Sequence, residues 1–268
     1  MSTDLIWRRR IGDLALRLGA VAVFFGLWWF VTDRGVWSEI VVPKPSSVWE
    51  RFIQSVTVHD DVRGLSGYFL WEHLWASAWR LIRGVGWAIV IGIPLGLLLA
   101  TSRPVRVVLE PVISFIRSLP PLAYFSLLII WFGIEDASKV WLLFLAALAP
   151  IALSVISGVE GVRTDWVEAA RSLGASRLQV VGHTLLPAIL PELFTGLRLS
   201  IGFAFSTIVA AETVDGIPGI GGLAWSTKKF LQTDVAIMCV LVIGVCAVGI
   251  DLLIRTLERR LVPWKGRV

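Results

Sequence analysis

Six long apolar runs dominate the chain, at roughly 17–33, 74–101, 107–132, 138–159, 187–211 and 234–256. A helix that crosses a bilayer needs about 20 predominantly apolar residues, and each run is close to that length. One buried core cannot absorb them all: 56% of the 268 residues are hydrophobic and 17% charged, against about half and a quarter in a soluble domain. Long runs therefore face lipid. Interior prolines (Pro94, Pro111, Pro120, Pro121, Pro150) would break soluble helices, but a membrane bundle re-satisfies the freed carbonyls. The expectation is an all-α membrane protein with six transmembrane helices.

Six spans leave both termini on one side, and the cations say which. Fourteen of the 25 Lys and Arg fall in the N-terminus (Arg8, Arg9, Arg10, Arg17), the second and fourth loops (Arg103, Arg106; Arg163, Arg171, Arg177) and the tail (Arg255, Arg259, Arg260, Lys265, Arg267). Seven fall in the other loops (Arg34, Lys44, Arg51, Arg63, Lys139, Lys228, Lys229). The excess marks the cytoplasmic side. One transmembrane domain over 1–268 is expected, with a cytoplasmic N-terminal segment 1–16, an outer loop 33–73, a cytoplasmic loop 160–186 and a cytoplasmic tail 257–268. The N-terminal arginines before an apolar run mimic a signal peptide, but the run carries Trp28, Trp29 and Phe30 and no small-residue cleavage site, so it reads as a retained first span. The net charge of +5 forms no basic stripe with interleaved aromatics, which argues against nucleic acid as a partner.

In the outer loop, Pro45 punctuates the chain, Ser46 or Ser47 offers an N-cap, and Trp49, Phe52, Ile53 and Val56 share one face. That pattern reads as an amphipathic helix lying on the membrane surface. Trp71, Trp75 and Trp79, four apart at the outer end of the second span, suit an interfacial aromatic belt. Gly92 and Gly96 permit close helix approach.

Several chemistries lack their residues. Cys239 and Cys246 lie about 10 Å apart along one helix face, too far for a disulfide. His59, His73 and His183 sit in separate segments, so neither a metal site nor paired haem ligands are expected. No G-x-x-x-x-G-K-[ST] phosphate loop occurs. Any ATP chemistry must come from another chain.

The most informative segment lies between the fourth and fifth runs. Asp165 to Ser172 makes a short helix, and Gly174 stands where helices end. Leu186-Pro187 opens the next span, with proline in the first helical turn. Ala169 and Ala170 keep one surface low while Glu168 sets a charge at its edge: a small knob suited to a groove in another protein. Glu168-Ala169-Ala170, then Gly174, then Leu186-Pro187 resembles the E-A-A…G…L-P signature of bacterial ATP-binding-cassette importer permeases, with Thr184 where the family often has isoleucine. Pro43-Lys44-Pro45-Ser46, Ile93-Pro94-Leu95-Gly96, Arg117 to Ala123, Trp131-Phe132-Gly133-Ile134 and Gly196-Leu197-Arg198 resemble the nitrate, sulfonate and taurine permease group. The stretches 230–235 and 258–266 look most like taurine permeases.

The resemblance implies a type I importer permease fold in the bacterial inner membrane. It implies a second copy of the chain, two ATPase subunits carrying ATP and Mg, and a periplasmic or lipid-anchored solute-binding protein. Glu168, Ala169, Ala170, Arg171, Leu173, Gly174, Leu186 and Pro187 would form the ATPase-docking coupling segment. The implied solute is a small organic sulfonate, taurine first, with other alkanesulfonates, nitrate or a pyrimidine precursor as alternatives. A channel or a membrane anchor remains the reading from another class.

Four cations lie within spans: Arg80, Arg83, Arg117 and Arg198. Ionisable groups at such depth usually face the bundle or a watery path. Arg117, Pro120, Arg198 and Glu212 are candidates for the translocation path. A straight third span would put Arg117 about 24 Å from Gly133. Snorkelling, or pairing with Glu110 or Glu192, is the competing role for the arginine.

Overall fold

The computed structural model describes residues 3–35, 37–59 and 61–264, with backbone alone for 3–11, 13–15, 17 and 18. The arginines at 8–10 and 17, and the tail charges Lys265 and Arg267, lie outside the described side chains. The chain is helical almost throughout. In order come α1 (Thr3–Asp33), α2 (Pro45–Val56), a small antiparallel hairpin of β1 (Val58–His59) and β2 (Val62–Arg63), α3 (Leu70–Thr101), α4 (Arg103–Ser118), α5 (Pro121–Phe132) and α6 (Asp136–Glu160). Then follow α7 (Thr164–Ser172), α8 (Arg177–Gln179), a π-turn (Val180–Leu185), α9 (Leu186–Asp215), α10 (Ile220–Ser226), a 3₁₀ turn (Thr227–Phe230) and α11 (Thr233–Leu261).

Among the described residues, α3, α6, the run Arg177–Asp215 and α11 are long and apolar enough to cross a membrane; α4 with α5 makes a fifth span if counted together, and Gly19–Asp33 is a shorter apolar helix. The third run is not one gently bent helix. It breaks by 100° between α4 and α5. Leu119, ahead of a proline, is extended (φ −79°, ψ 131°), as steric contact with the proline ring demands. Pro121, with no N–H to give, starts a new helix. The distance from Gly133 along a straight helix therefore does not measure the depth of Arg117.

The chain divides into two compact units: residues up to 70 with 224–241, and residues 71–223 with 242 onward. In the first, α2 forms as its pattern predicts, but its cap differs. Lys44 occupies the N-cap position without a side-chain cap, and Pro45 stands in the first turn. Neither Ser46 nor Ser47 caps the helix, because Pro45 has already set the entry. Trp49 stacks on Phe52 (5.3 Å between centroids) and is exposed with Ile53. Arg51 pairs with Asp234 at 2.7 Å, and Trp28 Nε1 donates to the Pro43 carbonyl at 3.0 Å. Glu39 accepts from Lys44 at 3.0 Å, and its hydrogen bond and charge raise the Lys44 pKa.

The second unit is organised around α6. Its Leu142, Leu143, Ala147, Ile151, Ala152 and Val155 are fully buried, in contact with α3 and α9 residues such as Leu81, Val85, Leu193 and Ile208. The approach of α3 to α6 is too close for a side chain at Gly96: a Cβ there would lie 2.7 Å from the Ala152 carbonyl oxygen. Trp71, Trp75 and Trp79 are exposed on α3, with Trp75 and Trp79 stacked at 6.1 Å, as a belt requires.

Candidate functional site

Three places in the second unit carry polar or exposed features that packing alone does not explain. The first is a buried polar knot between α3, α9 and the Gly-rich segment 216–222. His73, Ser77 and Arg80 stand at helical spacing on one face of α3 and are all buried. Glu212, near the end of α9, is fully buried. Its carboxylate accepts from Ser77 Oγ (2.7 Å), from the Arg80 guanidinium (2.7 Å) and from the Gly221 N–H (2.9 Å). Arg80 also donates to Asp136 (2.6 Å) and to the Pro218 carbonyl (2.9 Å), while Arg83 takes the other oxygen of Asp136 (2.8 Å).

Three successive backbone N–H groups of the loop are thereby held by side chains. Gly219 donates to His73 Nδ1, Ile220 to Ser77 Oγ (3.0 Å each) and Gly221 to Glu212. A buried carboxylate is costly unless paired and hydrogen-bonded; this one meets both conditions. The glycines let the loop come close enough to do it. A Cβ on Gly219 would lie 2.3 Å from the Gly216 oxygen, and one on Gly221 would lie 2.2 Å from the Val209 oxygen. Beside the knot, Lys139 is buried and donates to the Ile134 carbonyl at 2.9 Å.

The second place is the knob at the opposite end of α9. Helix α7 buries none of its residues. It ends on Gly174 at φ +81°, with Gly174 N–H donating to the Arg171 carbonyl (2.9 Å) and Ala175 N–H to that of Ala170 (3.1 Å). Those two bonds are a Schellman turn, which favours glycine at its left-handed position. Ser176 and Gln179 then form a reciprocal capping box. Glu168, Ala169, Arg171 and Leu173 are exposed, Ala170 partly so. Leu173 is 90% exposed and Leu178 84%, so each forgoes the roughly 1.5–3 kcal/mol that burial of a leucine brings unless a partner covers it. The sequence reading missed Leu178. The Leu186-Pro187 pair opens α9 through the π-turn, where Leu186 N–H reaches back to Val181. Behind the knob lies a cleft of about 710 Å³ whose walls include Trp166, His183, Glu192 and Trp264.

The third place is a cavity of about 220 Å³ at the α4–α5 break, lined by Arg117, Leu119, Tyr124, Leu145, Pro150 and Phe203 among others. Four elements meet here. Pro150 stands about 15 Å along α6 from Glu160 and about 21 Å from Asp136, so the cavity lies near mid-depth. Arg117 is exposed and makes no hydrogen bond or ion pair among the described residues. Glu110 is taken by Arg106 (2.6 Å), and Glu192 lines the cleft near the knob.

The four path candidates thus separate. Arg117 faces the cavity with Pro120 exposed at the break beside it. Arg198 is paired with Glu258 (2.5 Å), close to Asp251. Glu212 belongs to the polar knot. A signal for the knot was present in the sequence as an acid in an apolar run followed by Gly216, Gly219, Gly221 and Gly222, but its partners lie more than a hundred residues away in α3.

The chain is similar to known proteins over most or all of its length. A family described as "Binding-protein-dependent transport system inner membrane component" matches residues 92–263. The chain is 40% identical to the taurine transport system permease protein TauC of Escherichia coli K12, over all of this chain and 96% of that one. It is 33% identical to the putative aliphatic sulfonates transport permease protein SsuC of the same organism, over 96% of this chain and 93% of that one. In fold it is similar to a chain of the inward-facing MetNI methionine ABC transporter (TM-score 0.65, 20% identity, 72% of this chain and 97% of that one).

Proposed function

We propose, from the premise that the chain belongs to the binding-protein-dependent transport system inner membrane component family, that its solute is a small organic sulfonate, with taurine foremost. Two copies of the chain span the inner membrane with both termini in the cytoplasm, and a solute-binding protein delivers from the outer side. ATP and Mg are bound by two separate ATPase subunits. The observation that carries the coupling role is the knob: α7 has no buried residue, and its end is held by a backbone turn that needs glycine. A rigid, exposed helix with Glu168 at its edge and Leu173 at its tip transmits a push from a partner without deforming. The identity to TauC over the full length supports taurine as the solute. The similarity to SsuC keeps other alkanesulfonates as the second reading.

Solute crosses beside the α4–α5 break, where Arg117 and Pro120 line the way. The Arg198–Glu258 pair stabilises the inner end and the Glu212 knot the outer end. The test is ATP hydrolysis by the reconstituted complex with solute-loaded binding protein, run with taurine, longer alkanesulfonates and nitrate. Taurine stimulation that disappears in Glu168→Lys and Gly174→Pro supports both the solute and the docking role. Unchanged hydrolysis in both variants refutes the docking role, and stimulation by another anion alone refutes taurine.

A further inference from the structure

We infer that the permease carries its own anion-selective resting site, built around Arg117 in the mid-depth cavity, so that selection for an oxyanion is made a second time inside the membrane. This inference rests on the transport reading above and adds a binding site within this chain.

Arg117 has no counter-charge among the described residues. A guanidinium near mid-depth is costly without one. Snorkelling offers no escape, because the cavity lies about 15 Å from the nearer end of α6, farther than an arginine side chain reaches. The other three in-span arginines all have acidic partners: Arg80 and Arg83 share Asp136, and Arg198 has Glu258. Among the described residues Arg117 is the exception, and it lines a cavity.

The cavity walls define what fits. Arg117 offers a planar fork of donors matched to two oxygens of one anion. Tyr124 also lines the cavity, and its hydroxyl has no hydrogen-bond partner among the described residues. Leu119, Leu145, Pro150 and Phe203 supply apolar wall. The volume of about 220 Å³ is several times the roughly 30 Å³ of a liquid water and below the range of about 300–1,000 Å³ usual for larger ligands. The fitting ligand is therefore a small, singly charged oxyanion with a short organic tail, a description that sulfonates meet. One cation with no anionic clamp gives weak binding, as a site that must also release its ligand requires.

The site is tested on the purified permease–ATPase complex without binding protein, by titration calorimetry with taurine, ethanesulfonate, nitrate and 2-aminoethanol, which keeps taurine's ammonium but lacks the sulfonate. Wild type binds at least one oxyanion saturably in the millimolar range and ignores 2-aminoethanol. Arg117→Gln weakens that binding at least tenfold, Arg117→Lys keeps part of it, and Tyr124→Phe weakens it severalfold. Co-purification with the ATPase is scored for each variant, to separate loss of the site from loss of the fold. Equal binding by wild type and Arg117→Gln, or no binding of any anion by wild type, overturns the inference. Arg117-dependent binding of an anion other than a sulfonate upholds the site and overturns only the solute assignment.

Discussion

Removing the charge from Glu212 is expected to loosen the end of the protein that carries the Gly-rich loop, by an amount the geometry sets. The carboxylate is fully buried and accepts from Ser77, Arg80 and Gly221 at 2.7–2.9 Å. Hydrogen bonds to a charged group contribute about 1.5–3 kcal/mol, so the near-isosteric Glu212→Gln, which keeps volume but loses the charge facing Arg80, costs about 2–3 kcal/mol. Arg80→Met costs more, about 3–5 kcal/mol, because it leaves a buried carboxylate without its cation. With Gln already at 212, that penalty has no charge to act on. The double variant is therefore less destabilised than the sum of the single ones, by more than about 1 kcal/mol. Asp136 does not spoil the cycle, since Arg83 still holds it at 2.8 Å. The assay is thermal unfolding of the purified complex by intrinsic fluorescence, to which the 14 tryptophans contribute. At about 2–4 °C per kcal/mol for a large chain, Glu212→Gln lowers the midpoint by about 4–12 °C. Single-variant losses that add within about 0.5 kcal/mol, or midpoints that do not move, would refute the claim that one ion pair closes this loop.

Two further outcomes follow from packing. Gly96→Leu pushes α3 off α6, since even a Cβ meets the Ala152 oxygen at 2.7 Å; overpacking of this kind costs about 1–3 kcal/mol or more, read as a lower unfolding midpoint and reduced yield. Leu173→Asp with Leu178→Asp leaves the permease's own unfolding within about 0.5 kcal/mol of wild type, as exposed sites do, while co-purification of the ATPase subunits falls; undiminished co-purification would remove the two leucines from the docking surface.

Much of the helical layout is legible in the sequence because lipid imposes it. Apolar runs of spanning length mark α3, α6, α9 and α11, and Gly174 with Pro187 marks the two ends of the knob's connection. Local rules singled out Pro120 and Pro121 but read the third run as one span through them. They supplied neither the break nor its angle of 100°, which depends on what α4 and α5 pack against. Nor could they foresee the π-turn, which precedes a helix whose Pro187 and Pro191 cannot donate backbone hydrogen bonds. The polar knot was beyond reach for a different reason. Glu212 and Arg80 are far apart in sequence and near in space, so their pairing is tertiary information. The same holds for Arg198 and Glu258. Arg117 was legible as a charge in a span; that its candidate partners Glu110 and Glu192 are engaged or distant emerges only in three dimensions.

The central claim, ATP-driven import of a sulfonate through this chain, is tested most directly by uptake of labelled taurine into proteoliposomes. They would hold the permease and its ATPase, with ATP inside and loaded binding protein outside. The account predicts accumulation against a gradient that needs both ATP and the binding protein and is lost in Gly174→Pro. Equilibration without ATP would mark a channel, and no uptake of taurine or any other anion would contradict the account altogether.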